Sequence, residues 1–196
     1  MMRLTPVVRN LIMINAIIFL AASLVPGLRL EEKLSLWNIY TDGFQPYQLF
    51  TYMFMHGGFV HIFFNMIALS FMGPILESVW GQSRFLAFYL ITGIGAGIFS
   101  ILIDLFFGVG SFGLMMGASG AVYGVLTAFG ILFPNMEIML LIPPIPIKAK
   151  YLVLMLGAIA LFSGFNASPG DNTAHFAHLG GIVMAILFIQ FGGRIR

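Results

Sequence analysis

The chain has 196 residues, of which 60% are hydrophobic and 8% charged, with a mean hydropathy of +1.00. Soluble domains carry charge on about a quarter of their residues, so this is an integral membrane protein, with room for one helical bundle and one domain, residues 1–196. A formal charge of +2 is too small and scattered to suggest a nucleic-acid partner, and the lack of cysteine excludes disulfides, thiolate catalysis and cysteine-ligated metals.

Six apolar stretches meet or approach the length of about 20 residues that a membrane span requires. They cover residues 7–25, 59–79, 85–107, 117–133, 151–165 and 174–191. Glycine and proline mark the breaks: Pro26-Gly27, Gly57-Gly58, Gly81, the glycines between 108 and 113, Pro143-Pro144 with Pro146, and Pro169-Gly170. The first stretch has the length of a leader peptide, but its removal would leave five spans and spoil the charge pattern, so it is read as the first span. With both termini in the cytoplasm, Arg3, Arg9, Arg84, Lys148, Lys150, Arg194 and Arg196 lie inside, and only Arg29 and Lys33 lie outside. That bias follows the positive-inside rule. Residues 28–57 then form an external loop, and its mixture of Leu28, Leu30, Leu34, Leu36 and Trp37 with Arg29, Glu31, Glu32 and Lys33 suits an amphipathic segment lying in the interface.

The second, fourth and sixth spans all enter from the outside, and each carries polar side chains near that end. His56 precedes the second span, which holds His61 and Asn65 in its first two turns; Ser119 opens the fourth; His175 and His178 open the sixth. The fourth span, at about 17 residues, reaches only ~25 Å against a core of ~30 Å. The linker before it, 111–116, is apolar and irregular, which at membrane depth requires protein cover or a water-filled cavity. Ser119 is therefore expected to be recessed yet wet. Elsewhere, Asp104 reads as structural or interfacial, and Gly93, Gly95 and Gly97 read as helix-packing contacts.

Ser119 sits in Gly117-Ala118-Ser119-Gly120-Ala121-Val122-Tyr123-Gly124. One reading is a small-residue packing face to which the serine merely belongs; the other is a nucleophile left unshielded by small neighbours. Polar groups concentrated at one level of a bilayer protein mark a site. A serine hydroxyl needs a base, and His178 is of the right type. An oxyanion formed on a carbonyl would need fixed donors, for which the Ser119 N–H, the Asn65 amide and the His56 imidazole are available. No carboxylate is placed to orient His178, which suggests a dyad. Tyr123, four residues after Ser119 on the same face, can pack its ring on the imidazole instead.

The patterns His56-x4-His61-x3-Asn65, Gly117-Ala118-Ser119-Gly120 with Tyr123, and Ala177-His178-x2-Gly181 resemble the rhomboid intramembrane serine proteases. The likeness runs from about residue 47 to 185 and includes Gly73-Pro74-x2-Glu77-x3-Gly81-x2-Arg84-Phe85. It implies an all-α bundle of six transmembrane helices, with Ser119 as nucleophile and His178 as general base and then acid. It further implies that His56 and Asn65 assist the oxyanion, that His61 helps hold the external loop, and that Gly117, Gly120 and Gly181 support the close fit. No cofactor or metal is called for. The implied substrates are single-span membrane proteins, cut in or near the outer part of the bilayer, and a bare six-helix core suggests a prokaryotic plasma membrane. Ala185 replaces a family glycine with another small residue, and His175 adds a second imidazole; His178 is preferred because it alone has alanine before it and glycine three residues after. Two other readings stay open: a catalytically silent rhomboid-like binder of transmembrane helices, and a metal site built from His56, His61, His175, His178 and Asp171, although the His-Glu-x-x-His signature is lacking.

Overall fold

The computed structural model describes residues 3–108, 114–140, 143–166 and 175–192. Among these the chain forms α1 (Pro6–Leu24), α2 (Leu30–Leu34), α3 (Gln48–Thr51), α4 (Phe59–Trp80), α5 (Gln82–Phe107), α6 (Ser119–Leu132), α7 (Ala149–Phe165) and α8 (His175–Phe191). The six predicted apolar stretches correspond to α1, α4, α5, α6, α7 and α8. By length and composition α1, α4 and α5 can cross a membrane, while α6, α7 and α8 are shorter apolar helices. The third begins at Gln82 instead of residue 85, so Gly81 alone separates α4 from α5. The start of the sixth stretch, at residue 174, lies outside the described residues.

α6 is the axis of the bundle. Ten of its fourteen residues are buried, against α5, α8, α4 and α7. Lipid is as apolar as leucine, so helices in a bilayer associate through close packing and hydrogen bonds. The sequence supplies the necessary small residues: a Cβ on Gly120 would lie 2.7 Å from the Ala96 Cβ, and one on Gly124 would lie 2.8 Å from the Thr92 Cβ. Outward positions carry large apolar side chains, among them Ile17, Leu24, Phe106, Phe107, Leu154 and Phe162, as a protein solvated by hydrocarbon requires. α1 and α7 are peripheral. The first buries only Val8, Leu11 and Asn15, and the second only Ala149, Leu152, Ala160 and Gly164.

α1 is nonetheless fastened at its start. The N-cap Thr5 makes no side-chain cap of its own to the helix; instead the buried Glu77 of α4 accepts hydrogen bonds from the Thr5 hydroxyl, from Val7 N at 3.1 Å and from Val8 N at 3.0 Å. A carboxylate from another helix thus satisfies N–H groups that a helix start leaves without partners. At the same end, the Arg84 guanidinium stands 5.9 Å from the ring centres of both Trp80 and Phe188 and donates to Gly192 O at 3.2 Å.

The segment between α1 and α4 is folded against the bundle. Its strand β1 (Leu36–Trp37) pairs antiparallel with β2 (Leu114–Met115), Leu36 opposite Met115 and Trp37 opposite Leu114. The buried Gln48 organises it: Oε1 accepts from Trp37 N at 3.3 Å and Gln45 N at 3.0 Å, while Nε2 donates to Gly43 O at 3.1 Å and Lys33 O at 3.5 Å. Asn38 Nδ2 donates to Asp104 Oδ2 at 2.9 Å, so Asp104 is structural and ties the segment to α5. Between α6 and α7, where the sequence signalled only a proline break, a hairpin forms from β3 (Glu137–Met139) and β4 (Pro146–Lys148).

Candidate active site

Ser119 is the first residue of α6, and the turn that delivers it depends on Gly117. That residue has φ +124, where residues with a Cβ are strained, and a Cβ there would lie 2.6 Å from His61 Nε2. Gly117 N donates to Tyr52 O at 2.9 Å, and the buried Tyr52 hydroxyl donates to Gly93 O at 2.6 Å. Through Tyr52 the approach to the serine is fixed to α5.

His178 enters from the first turn of α8, and its Nε2 lies 2.9 Å from Ser119 Oγ. That contact exists because α6 and α8 nearly touch backbone to backbone: a Cβ on Gly181 would lie 2.0 Å from Gly120 O, and one on Gly120 would lie 3.5 Å from Ala177 O. The Tyr123 ring lies over the imidazole, with centroids 4.2 Å apart and planes 4° from parallel. The predicted stacking is present. His175 is edge-on to His178 with centroids 6.3 Å apart. Ser119, Tyr123, His175 and His178 are all half-buried.

On the facing side, the two histidines near α4 occupy different situations. His56, in the loop before the helix, is buried at 4% exposure, and its Nε2 accepts from Ala118 N at 3.5 Å, so it is turned toward the backbone before the serine. Burial, reinforced by the neighbouring His61, lowers its pKa to about 4 and keeps the ring neutral near pH 7. His61, on α4, is half-buried, meets His56 edge-on at 5.0 Å, and brings its Nε2 against Gly117. The buried Asn65 follows one turn later, and its Nδ2 donates to His61 O at 3.0 Å, which leaves its second amide hydrogen for another acceptor. Tyr52 and Gln48 were not singled out from sequence; each stands among other polar residues of the segment between the first two spans, such as Gln45, Tyr47 and Thr51, where neither is conspicuous.

Comparison with known proteins adds an independent line. A family model described as Rhomboid domain matches residues 43–194. The chain is 34% identical over 135 residues to "Rhomboid protein 1, mitochondrial" of Saccharomyces cerevisiae, covering 69% of this chain and 38% of that protein. It is 28% identical over 198 residues to "Putative rhomboid protease YdcA" of Bacillus subtilis, covering 96% and 91% respectively. It is 30% identical over 159 residues to "Rhomboid protease AarA" of Providencia stuartii, covering 71% and 53%. The chain thus spans well under half of the yeast protein but most of the Bacillus one. With the family model matching most of its length, including every residue of the Ser119 and His178 constellation, the chain belongs to the rhomboid family.

Proposed function

We propose that this chain is an intramembrane serine endopeptidase that cuts single-span membrane proteins in or near the outer part of the bilayer. The observation that carries the reading is the 2.9 Å approach of His178 Nε2 to Ser119 Oγ. With the His178 proton on Nδ1, Nε2 takes the hydroxyl proton as Oγ attacks the scissile carbonyl. The resulting oxyanion is met by the Ser119 N–H, which at the first helical position has no acceptor within α6, with the positive end of the helix behind it. Nε2–H then protonates the leaving amine. Water, activated by the same imidazole, attacks the acyl-enzyme, releases the new carboxylate and restores the serine. Tyr123 holds the plane of the imidazole where an acidic third member would otherwise do so.

The surroundings of the two facing histidines favour a division of labour. His61 Nε2, beside Gly117, and the second Asn65 amide hydrogen serve the oxyanion, whereas His56 braces the Ala118 backbone. This differs from the assignment by resemblance, which gave the oxyanion to His56. All six apolar helices are taken to cross the bilayer, with both termini cytoplasmic and the site opening outward, a topology supported by the distribution of basic residues. The extended likeness to a Bacillus subtilis protein supports a prokaryotic plasma membrane.

The test is cleavage of a panel of tagged transmembrane segments by the purified, lipid-reconstituted protein beside its Ser119→Ala and His178→Ala forms. Cleavage by the parent alone is the expected result; full cleavage by Ser119→Ala would end the proposal.

A further inference from the structure

The hairpin β3–β4 lies at the end of the bundle opposite Ser119, because it joins the end of α6 to the start of α7. Its inner face, Ile138, Leu140 and Ile147, packs against the hydrophobic core. An antiparallel hairpin covered on one face ordinarily presents polar residues on the other. Here the outer face, Glu137, Met139, Pro146 and Lys148, is polar only at its base. Met139 is 61% exposed, Met136 and Ile145, just beyond the paired residues, are 42% and 50% exposed, and between Ile138 and Ile147 the sequence holds no polar side chain.

Charge is confined to the base. Glu137 stands opposite Lys148 in the ladder, and Lys150 Nζ donates to Asn135 Oδ1 at 3.0 Å and lies 5.2 Å from the Tyr151 ring centre. If the hairpin pointed away from the membrane, its charged base would lie nearest the hydrocarbon and its apolar residues farthest into water. Both polarities would be inverted. Laid back against the bilayer, the lysines and Tyr151 sit at headgroup level, where such side chains concentrate, and the exposed apolar residues enter the acyl boundary.

We infer that this hairpin is an interfacial anchor, inserted into the lipid leaflet opposite the catalytic end, with Met139 and Ile145 as its lipid-contacting side chains. Continuity fixes the occupant as lipid: the chain on both sides of the hairpin is apolar helix of a membrane protein, and β4 passes into α7 without an intervening residue. The anchor holds the foot of α7, a helix that buries only four of its own residues. This inference does not depend on the proposed peptidase chemistry.

The natural chain has no cysteine, so a single reporter can be placed without background. Full-length Met139→Cys and Ile145→Cys proteins, labelled with an environment-sensitive nitrobenzoxadiazole dye, are reconstituted in vesicles of phosphatidylcholine and phosphatidylglycerol. Asn135→Cys, at the base, is the reference. Both test positions are expected to emit to the blue of the reference and to lose intensity to doxyl-labelled lipid but not to iodide present on both sides of the membrane. Iodide quenching at either position would place the hairpin in water, and protection from both quenchers would mean that protein, such as a second copy, covers it. Either result overturns the inference. Retained helical circular dichroism in each labelled protein certifies that the fold is intact, and two positions guard against a defect at one.

Discussion

Gly181 of α8 faces Gly120 of α6 so closely that a single methyl group on Gly181 would lie 2.0 Å from the Gly120 carbonyl oxygen. The obstruction is backbone, which cannot swing aside as a side chain can. Gly181→Ala must therefore part the two helices that carry Ser119 and His178. Overpacking of this kind costs about 1 to 3 kcal/mol of stability, and a misplacement near 1 Å at a reacting pair costs about 100-fold in rate. The expected result is a lower melting temperature in detergent and a loss of that order in turnover of a membrane substrate, measured on the same preparation.

Tyr123 contributes a ring plane, not a hydroxyl, to His178. Tyr123→Phe is expected to keep most activity, while Tyr123→Leu removes a stacked contact of a kind worth about 0.5 to 1.5 kcal/mol and lowers turnover about 2- to 10-fold. His175→Ala, which leaves both the stack and the contact with Ser119 in place, is expected to retain much of the parent activity. Initial rates for the three variants distinguish these outcomes; a Tyr123→Phe protein as impaired as Tyr123→Leu would assign the work to the hydroxyl.

The two histidines beside α4 are expected to fail in different ways. His61→Ala removes the proposed oxyanion donor, a loss that typically costs about 2.7 to 4 kcal/mol of transition-state stabilisation, and should depress turnover with little change in melting temperature. His56→Gln should instead change the response of stability to acid. The His56 pKa is lowered from 6.5 to about 4 by burial and by His61. Above pH 6.5 the ring is neutral both folded and unfolded and adds no pH dependence. As the pH falls from 6.5 toward 4 only the unfolded chain gains the proton, so stability drops, and the drop levels off once the folded ring is protonated too. Melting temperatures across that interval should fall more steeply for the parent than for His56→Gln.

Gln48 joins four backbone groups between Lys33 and Gln48 through one side chain. Gln48→Ala leaves buried partners unmet, at about 1 to 3 kcal/mol for such a group. Limited proteolysis of the reconstituted protein should cut the segment between α1 and α4 sooner in this variant, with the helices themselves still protected.

What could be read beforehand has a physical pattern. Ser119 and His178 stood out because a polar group is costly in an apolar helix, Tyr123 because it follows Ser119 by one turn, and Gly120 because close helix packing in lipid selects small residues, whereas Gly181 was named only through the resemblance. His61 and Asn65 were likewise visible as polar groups in the first two turns of the second span. The difference between His56 and His61 was not legible, since it depends on one lying buried in a loop against Ala118 and the other standing on a helix face beside Gly117. The pairing of Leu36 and Trp37 with Leu114 and Met115 escaped for a similar reason: two-residue strands carry no periodicity, and their partners are distant in sequence. The β3–β4 hairpin was hidden because its continuous apolar run lacks the alternation by which a half-covered strand is recognised.

The carboxylate of Glu77 at the start of α1 carries a consequence for the order of assembly. The groups it receives, at Thr5, Val7 and Val8, precede it by 72, 70 and 69 positions in the chain. As the polypeptide emerges during synthesis, the opening turn of the first helix must wait for most of the next long helix before its permanent acceptor exists. Docking of the least embedded long helix is thereby coupled to the completion of α4, and a nascent chain that stops short of Glu77 holds a first helix without its Glu77 cap.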